Sequence, residues 1–293
     1  MSKEIIKFYA EDGAKLNGYL NKGKLETKKV LIAIHGMTSN CFKDRERIIA
    51  EAVEEIGIDT ICFNNRGSEI VKYIKYGNGN KALAGMAYEN VEESIYDIIG
   101  AIKYAVELGY TDIYLQGHSL GCTKIVYSYN KMKKEKDEYL KYIKGIVLLS
   151  LVDIPRLFKL VSRPKNLEYA IEKEEQGLEL ELMPKDAFIH LISVKTFLQY
   201  TKYNKNLDFA KYHDKDYKYE EINNIEIPIF MRWGNSNEFI EQNANDLVSI
   251  LNKKISNKNK DINYIDGANH SYDNKEETLA TQIKDFLTNS MYD

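Results

Sequence analysis

The chain has 293 residues, 44% of them hydrophobic and 29% charged, with 41 Lys+Arg against 44 Asp+Glu for a net charge of -3. That balance is ordinary for a globular protein and excludes disordered, collagen-like and fibrous classes. Acid and base alternate along the chain without a polybasic run, so neither nucleic acid nor an anionic membrane is expected as a partner.

The first residues read as a hairpin: Glu4 to Ala10, a turn at Glu11-Asp12-Gly13, then Lys15 to Asn21. Val30-Leu31-Ile32-Ala33-Ile34 is a short β-branched run with no polar break, the pattern of a strand buried on both faces. A helix is expected from about Lys43 to Ile56 and a strand from Asp59 to Phe63. Val91, Ile95, Ile98, Ile99, Ile102, Ala105 and Val106 recur at three- and four-residue spacing, which marks an amphipathic helix ending near Gly109. Ile113 to Leu115 reads as a strand, Leu120 to Lys131 as a helix and Gly145 to Leu149 as a strand. From Asp153 to Asn224 the alternation lapses into charged helical segments containing Pro155, Pro164 and Pro184. It then resumes with a strand at Ile227 to Trp233, a helix at Ile240 to Lys254, a strand at Asp261 to Ile265 and a helix at Glu276 to Leu287.

Repeated strand-then-helix units require crossover connections, hence an α/β fold with a mostly parallel sheet and helices on both faces. The expectation is one domain over 1–293, with 153–224 inserted as a helical cap. Its aromatics Phe158, Phe188, Phe197, Tyr200 and Tyr203 are candidate pocket walls, and Arg156 or Arg163 could pair an anionic substrate. Aromatics at helical spacing also make ordinary core, and surface arginines are ordinarily solvated.

Gly117-His118-Ser119-Leu120-Gly121 is a G-x-S-x-G between an expected strand and an expected helix. Composition alone predicts it about 0.05 times in a chain of this length. The small glycines admit a tight strand-to-helix turn that lifts Ser119 Oγ into the open. A serine hydroxyl needs a base, and His270, in the loop Gly267-Ala268-Asn269-His270-Ser271 after the last strand, is placed to serve. An oxyanion formed at Ser119 needs two donors. The backbone N–H of Leu120 supplies one, and that of Met37, in the loop Ile34-His35-Gly36-Met37-Thr38, supplies the other. The loop Asn64-Asn65-Arg66-Gly67-Ser68 is a candidate buttress for it. An acid orienting His270 is expected in Trp233-Gly234-Asn235-Ser236-Asn237-Glu238-Phe239, where Glu238 is the leading candidate. Asp153, at the end of the preceding strand, and Asn237, as a neutral orienter, stay open as alternatives.

These residues, in this order, resemble the α/β-hydrolase superfamily from His35-Gly36 through to His270. A narrower likeness to the hydrolases related to fungal fusarinine (siderophore) esterases rests on three stretches. They are Leu149-Ser150-Leu151-Val152-Asp153, Glu174 to Leu180 leading to Met183-Pro184, and Ile229 through Glu238-Phe239-Ile240. The chain departs from that pattern at Asn237, where the family tends to have Asp. The superfamily resemblance implies acyl transfer through a Ser119 acyl-enzyme; the narrower one implies esters, including those of hydroxamate siderophores.

A serine hydrolase acting on a small-molecule carboxylic ester is therefore the leading expectation. The same parts would also serve a thioesterase, amidase or acyltransferase, and a non-catalytic small-ligand binder is the reading from another class. No cofactor is called for, because a side chain generates the nucleophile. Cys41, Cys62 and Cys122 are odd in number and lack metal-like spacing, so neither disulfides nor a metal site are indicated. With no signal-like start and no apolar run near the ~18 residues of a membrane span, a cytoplasmic location is expected.

Overall fold

A computed structural model describes residues 2–290. The predicted hairpin forms β1 (Ser2–Tyr9) and β2 (Lys15–Lys22), paired from Ser2↔Lys22 to Tyr9↔Lys15. Strand β2 runs antiparallel to β4 (Asp59–Asn64), and beyond that the sheet is parallel. Its remaining strands are β3 (Lys29–Ile34), β7 (Asp112–His118), β8 (Ile143–Leu149), β9 (Ile229–Gly234) and β10 (Lys260–Ile265). The eight-stranded order is β1-β2-β4-β3-β7-β8-β9-β10. A separate hairpin, β5 (Lys72–Lys75) with β6 (Lys81–Ala84), was not expected from the patterning. Only Ile74 and Ala84 of it are buried, so its strands carry almost no apolar alternation.

The short apolar runs are buried on both sides because the strand period of two sends alternate residues into two cores. On β8, Ile146 and Leu148 join one cluster while Val147 and Leu149 join the other; on β9, Met231 and Phe230 divide the same way. The first core is closed by α2 (Ser94–Glu107), α3 (Leu120–Glu135) and α8 (Ala244–Lys254), through residues such as Ile98, Ile125 and Leu251. The second is closed by α1 (Asp44–Glu54) and α9 (Glu276–Ser290), through Ile49, Val53, Leu279 and Ile283. Each such fully buried aliphatic side chain contributes roughly 1.5–3 kcal/mol by leaving water.

Between β8 and β9 the chain forms α4 (Ile154–Val161), α5 (Pro164–Glu175), α6 (Val194–Thr201) and the short α7 (Glu220–Asn223). Phe158, Phe188, Phe197 and Tyr200 build a third cluster that includes Leu120 at the start of α3. This stretch therefore sits against the turn that carries Ser119. Neighbouring strands β3, β7, β8, β9 and β10 all end at one edge of the sheet, where they release His35, Ser119, Ser150, Asn235 and Asp266. Among the described residues no helix is long and apolar enough to cross a membrane.

Candidate active site

Ser119 joins β7 to α3 with φ 54° and ψ -122°, a conformation that L residues adopt only under constraint. The constraint is packing. A Cβ on Gly121 would fall 2.2 Å from the Ile34 carbonyl oxygen, and one on Gly117 would fall 2.6 Å from Gly121, so both positions exclude any side chain. Ser119 N donates to the Leu149 carbonyl (2.8 Å), which ties the strained turn to β8. The hydroxyl itself lines a cavity of about 430 Å³ together with Met37, Ile154, Leu157, Phe188 and His270.

Gly36 packs directly on the turn: its Cβ position lies 2.9 Å from Ser119 Cβ and 3.4 Å from Leu120 N. Buried His35 sits behind this loop. Its Nε2 accepts from Asn65 N (3.2 Å), so Nδ1 carries the proton and donates to the Gly36 carbonyl (3.0 Å). Burial, with Lys124 nearby, pushes the His35 pKa down to about 3, which keeps this tautomer neutral at ordinary pH. Because a trans peptide sets N–H opposite C=O, holding the Gly36 carbonyl toward His35 turns the Met37 N–H away from it. Asn65 also reaches back to the His35 carbonyl (3.3 Å), so the Asn64–Ser68 loop does bear on this strand end. Its Oδ1 accepts from Gly67 N (2.9 Å) and from Lys124 Nζ (3.1 Å), and Lys124 in turn forms a fully buried ion pair with Glu89. Sequence alone did not single out Lys124 or Glu89.

His270 leaves β10 at the same edge, and Glu238 leaves β9 beside it. Glu238 Oε1 accepts the His270 Nδ1 hydrogen bond, with a side chain only 2% exposed. Burial pushes the carboxyl pKa up, but the His270 hydrogen bond and cation, Ser150 Oγ and the Gly234 N–H outweigh it and hold it below the usual range. His118, buried and driven neutral by desolvation and by the Arg45 and His270 charges, hydrogen-bonds the His270 carbonyl through Nε2 at 2.8 Å. Phe239 sets its ring edge against the His270 imidazole, with centroids 4.6 Å apart.

The other two acid candidates lie elsewhere. Asp153 caps α4, accepting from Arg156 N (3.0 Å), and pairs with His213 Nδ1 (3.1 Å), so its carboxylate is committed away from His270. Asn237 is exposed and takes φ 50°, a left-handed bend that Asn tolerates, and this bend delivers the next side chain to the histidine. Of the five aromatics proposed as walls, only Phe188 lines the cavity. Phe158 stacks beneath it at 4.2 Å, Phe197 and Tyr200 are fully buried beside Phe158, and Tyr203 faces solvent against Glu174. Phe158, Phe197 and Tyr200 form a core because their helical spacing faces α4 onto α6. Arg156 is occupied by Glu241 (2.7 Å) and Arg163 by Asp186 (3.3 Å), which leaves neither facing the cavity.

No protein-family model matches the chain, and no curated protein matches it in sequence. Solved structures match over nearly the full length. Est1E from Butyrivibrio proteoclasticus, with ferulic acid bound, aligns with a TM-score of 0.66 at 20% identity, covering 98% of this chain and 99% of that one. The α/β hydrolase GrgF from Penicillium sp. sh18 gives 0.69 at 15% identity over 100% of both chains. A monoglyceride lipase from Saccharomyces cerevisiae, in complex with a substrate analog, gives 0.62 at 14% identity over 97% and 94%. The chain has the α/β-hydrolase fold.

Proposed function

We propose that the protein is a serine hydrolase cleaving a carboxylic ester of a small molecule. The observation that carries this is the convergence, on one 430 Å³ cavity, of a strained serine, the Gly36–Met37 loop and a histidine paired with an ionised carboxylate. In this reading Ser119 Oγ attacks the ester carbonyl carbon while His270 Nε2 takes its proton. The tetrahedral oxyanion is held by the Met37 and Leu120 N–H groups. Glu238 keeps the His270 proton on Nδ1 and stabilises the imidazolium that forms. Collapse breaks the ester C–O bond, His270 returns the proton to the departing alkoxide, and water then releases the acid by the same steps in reverse roles.

The 153–224 stretch acts as a cap over this cavity. Ile154, Leu157, Phe188 and Ile189 give its side of the cavity an apolar wall, against which a hydrocarbon or aromatic part of the substrate would rest. The siderophore-esterase likeness, the ferulic acid bound to Est1E and the monoglyceride lipase neighbour name three ester classes worth comparing. We place the protein in the cytoplasm, acting on a free small molecule.

A panel of p-nitrophenyl, feruloyl, monoacylglycerol and hydroxamate-siderophore esters, with matched thioesters and amides, tests the reading. Ester hydrolysis that is lost in Ser119→Ala and His270→Ala is the expected result. Turnover confined to thioesters or amides would move the assignment to the thioesterase or amidase alternative, and no turnover of any would favour a binder.

A further inference from the structure

Glu238 is held by more than His270. Its Oε1 also accepts from Phe239 N (3.0 Å), and its Oε2 accepts from Ser150 Oγ (2.7 Å) and Gly234 N (3.1 Å). Ser150 is the first residue after β8, fully buried, and adopts φ 52°; its own N–H donates to the Arg232 carbonyl (2.7 Å). Tyr272, also fully buried at φ 64°, donates its hydroxyl to the same carbonyl (2.8 Å) and lies 3.0 Å from Ser150 Oγ. Two hydroxyl side chains are thus held side by side in a backbone region that non-glycine residues avoid, and one of them, Ser150, rests against the Glu238 carboxylate.

We propose that Ser150 is a positioning residue of this site: its buried hydroxyl fixes Glu238 Oε2 so that Oε1 faces His270 Nδ1. The inference rests on Glu238 being the acid of the proposed hydrolase. Rotation about the last torsion of a glutamate is soft, so a carboxylate that arrives one residue beyond the usual slot needs a second anchor to aim its other oxygen. The backbone N–H of Gly234 alone reaches Oε2 from β9; Ser150 reaches it from β8, and the two strands together define the carboxylate plane. Without the Ser150 hydroxyl the carboxylate is free to turn Oε1 away from Nδ1, so the imidazolium is less well held and the histidine gives up its proton at lower pH.

The groups around the pair do not confuse that readout. His118 on β7 is held neutral, and the Cys122, Tyr212 and Tyr272 protons are raised beyond the working range by burial. Arg45 on α1 is paired with Glu46 at 2.5 Å. Lys43, Asp44, Asp273 and Glu276 line the cavity and are common to every variant below.

The test compares wild type with Ser150→Gly and Ser150→Ala, alone and combined with Glu238→Gln, on a p-nitrophenyl ester. Glycine accepts the positive φ and alanine keeps the side-chain volume, so the pair separates loss of the hydroxyl from backbone strain. The expected result is a fall in kcat of about tenfold or more with KM within about twofold, and an acid limb of the kcat/KM profile displaced to lower pH. In the Glu238→Gln background the same substitutions change kcat by less than about twofold, because the acid through which Ser150 acts is already lost. A folded Ser150→Gly enzyme with wild-type kcat and an unmoved acid limb overturns the proposal, as does an equal loss in the Glu238→Gln background. Wild-type protein that hydrolyses no ester and takes no fluorophosphonate label overturns the hydrolase reading itself, and the proposal with it.

Discussion

The buried pair of Lys124 and Glu89 makes the sharpest energetic prediction, because the side chains are 1% and 0% exposed. Neither Glu89 oxygen has a hydrogen bond among the described residues, so the lysine ammonium is what compensates the carboxylate. Lys124→Met keeps the length of the side chain and removes that charge, stranding an anion in the interior at a cost of about 3–5 kcal/mol. Replacing both partners, as Lys124→Met with Glu89→Leu, removes the desolvation penalty together with the attraction and should return to within about 1.5 kcal/mol of wild type. Asn65 Oδ1 keeps its bond from Gly67 N in either variant, so the loop retains one anchor. The single tryptophan, Trp233, is fully buried in β9 and reports global unfolding. With a urea dependence of about 3 kcal/mol per M, the single variant should unfold about 1.3 M earlier than wild type, and the double variant near it. A single variant costing less than about 1 kcal/mol, or a double variant no better than the single, would refute the reasoning.

Other consequences are as direct. Asp153→Asn preserves a good helix cap and should leave ester turnover within about threefold, whereas Glu238→Gln should lose about two to four orders of magnitude; the reverse pattern would make Asp153 the acid. Burial pushes the Asp153 pKa up to about 6, so the folded form holds its proton longer than the unfolded chain and loses stability as pH rises from about 4 through 6. The Asn variant should therefore gain melting temperature relative to wild type over that range. His35 acts in the opposite sense: the unfolded residue binds a proton near 6.5 while the folded one stays neutral to about 3, so its contribution is whole above pH 6.5 and is lost as pH falls. At pH 5 that amounts to about 2 kcal/mol, and His35→Gln should lose that much less between pH 7 and pH 5 in urea titrations. Leu157 and Phe239 separate the main cavity from a neighbouring one of about 160 Å³. Leu157→Ala should join them and raise kcat/KM for octanoyl over acetyl esters by about tenfold; an unchanged ratio would mean that the cavities do not communicate.

The fold was legible because the parallel strands announce themselves: Val30 to Ile34 and Gly145 to Leu149 are buried on both faces and contain no polar residue to blur the run. The β5–β6 hairpin was not, since Lys72–Lys75 and Lys81–Ala84 bury one residue each and read as loop. In the sequence, Ser119 and the His35–Met37 loop stand out because glycines mark close approach, and a Cβ on Gly121, which would fall 2.2 Å from the Ile34 carbonyl oxygen, is what the structure excludes there. The choice among Glu238, Asp153 and Asn237 could not be read from spacing. It turns on a single left-handed residue at Asn237 and on which carboxylate a helix N-terminus has already claimed. The contact of Ser150 with Glu238 and Tyr272 was not legible: Ser150 stands in the stretch Leu149 to Asp153 that carries the narrower likeness, but the three side chains meet only where the ends of β8, β9 and β10 come together in three dimensions.

The most direct measurement is the intact mass of the protein after exposure to a fluorophosphonate, followed by peptide mapping. The account predicts one adduct, on Ser119, formed rapidly at pH 8 and slowly at pH 5, absent in Ser119→Ala and strongly retarded in His270→Ala. Folded wild-type protein that takes no label, or a label that persists in Ser119→Ala, would contradict it.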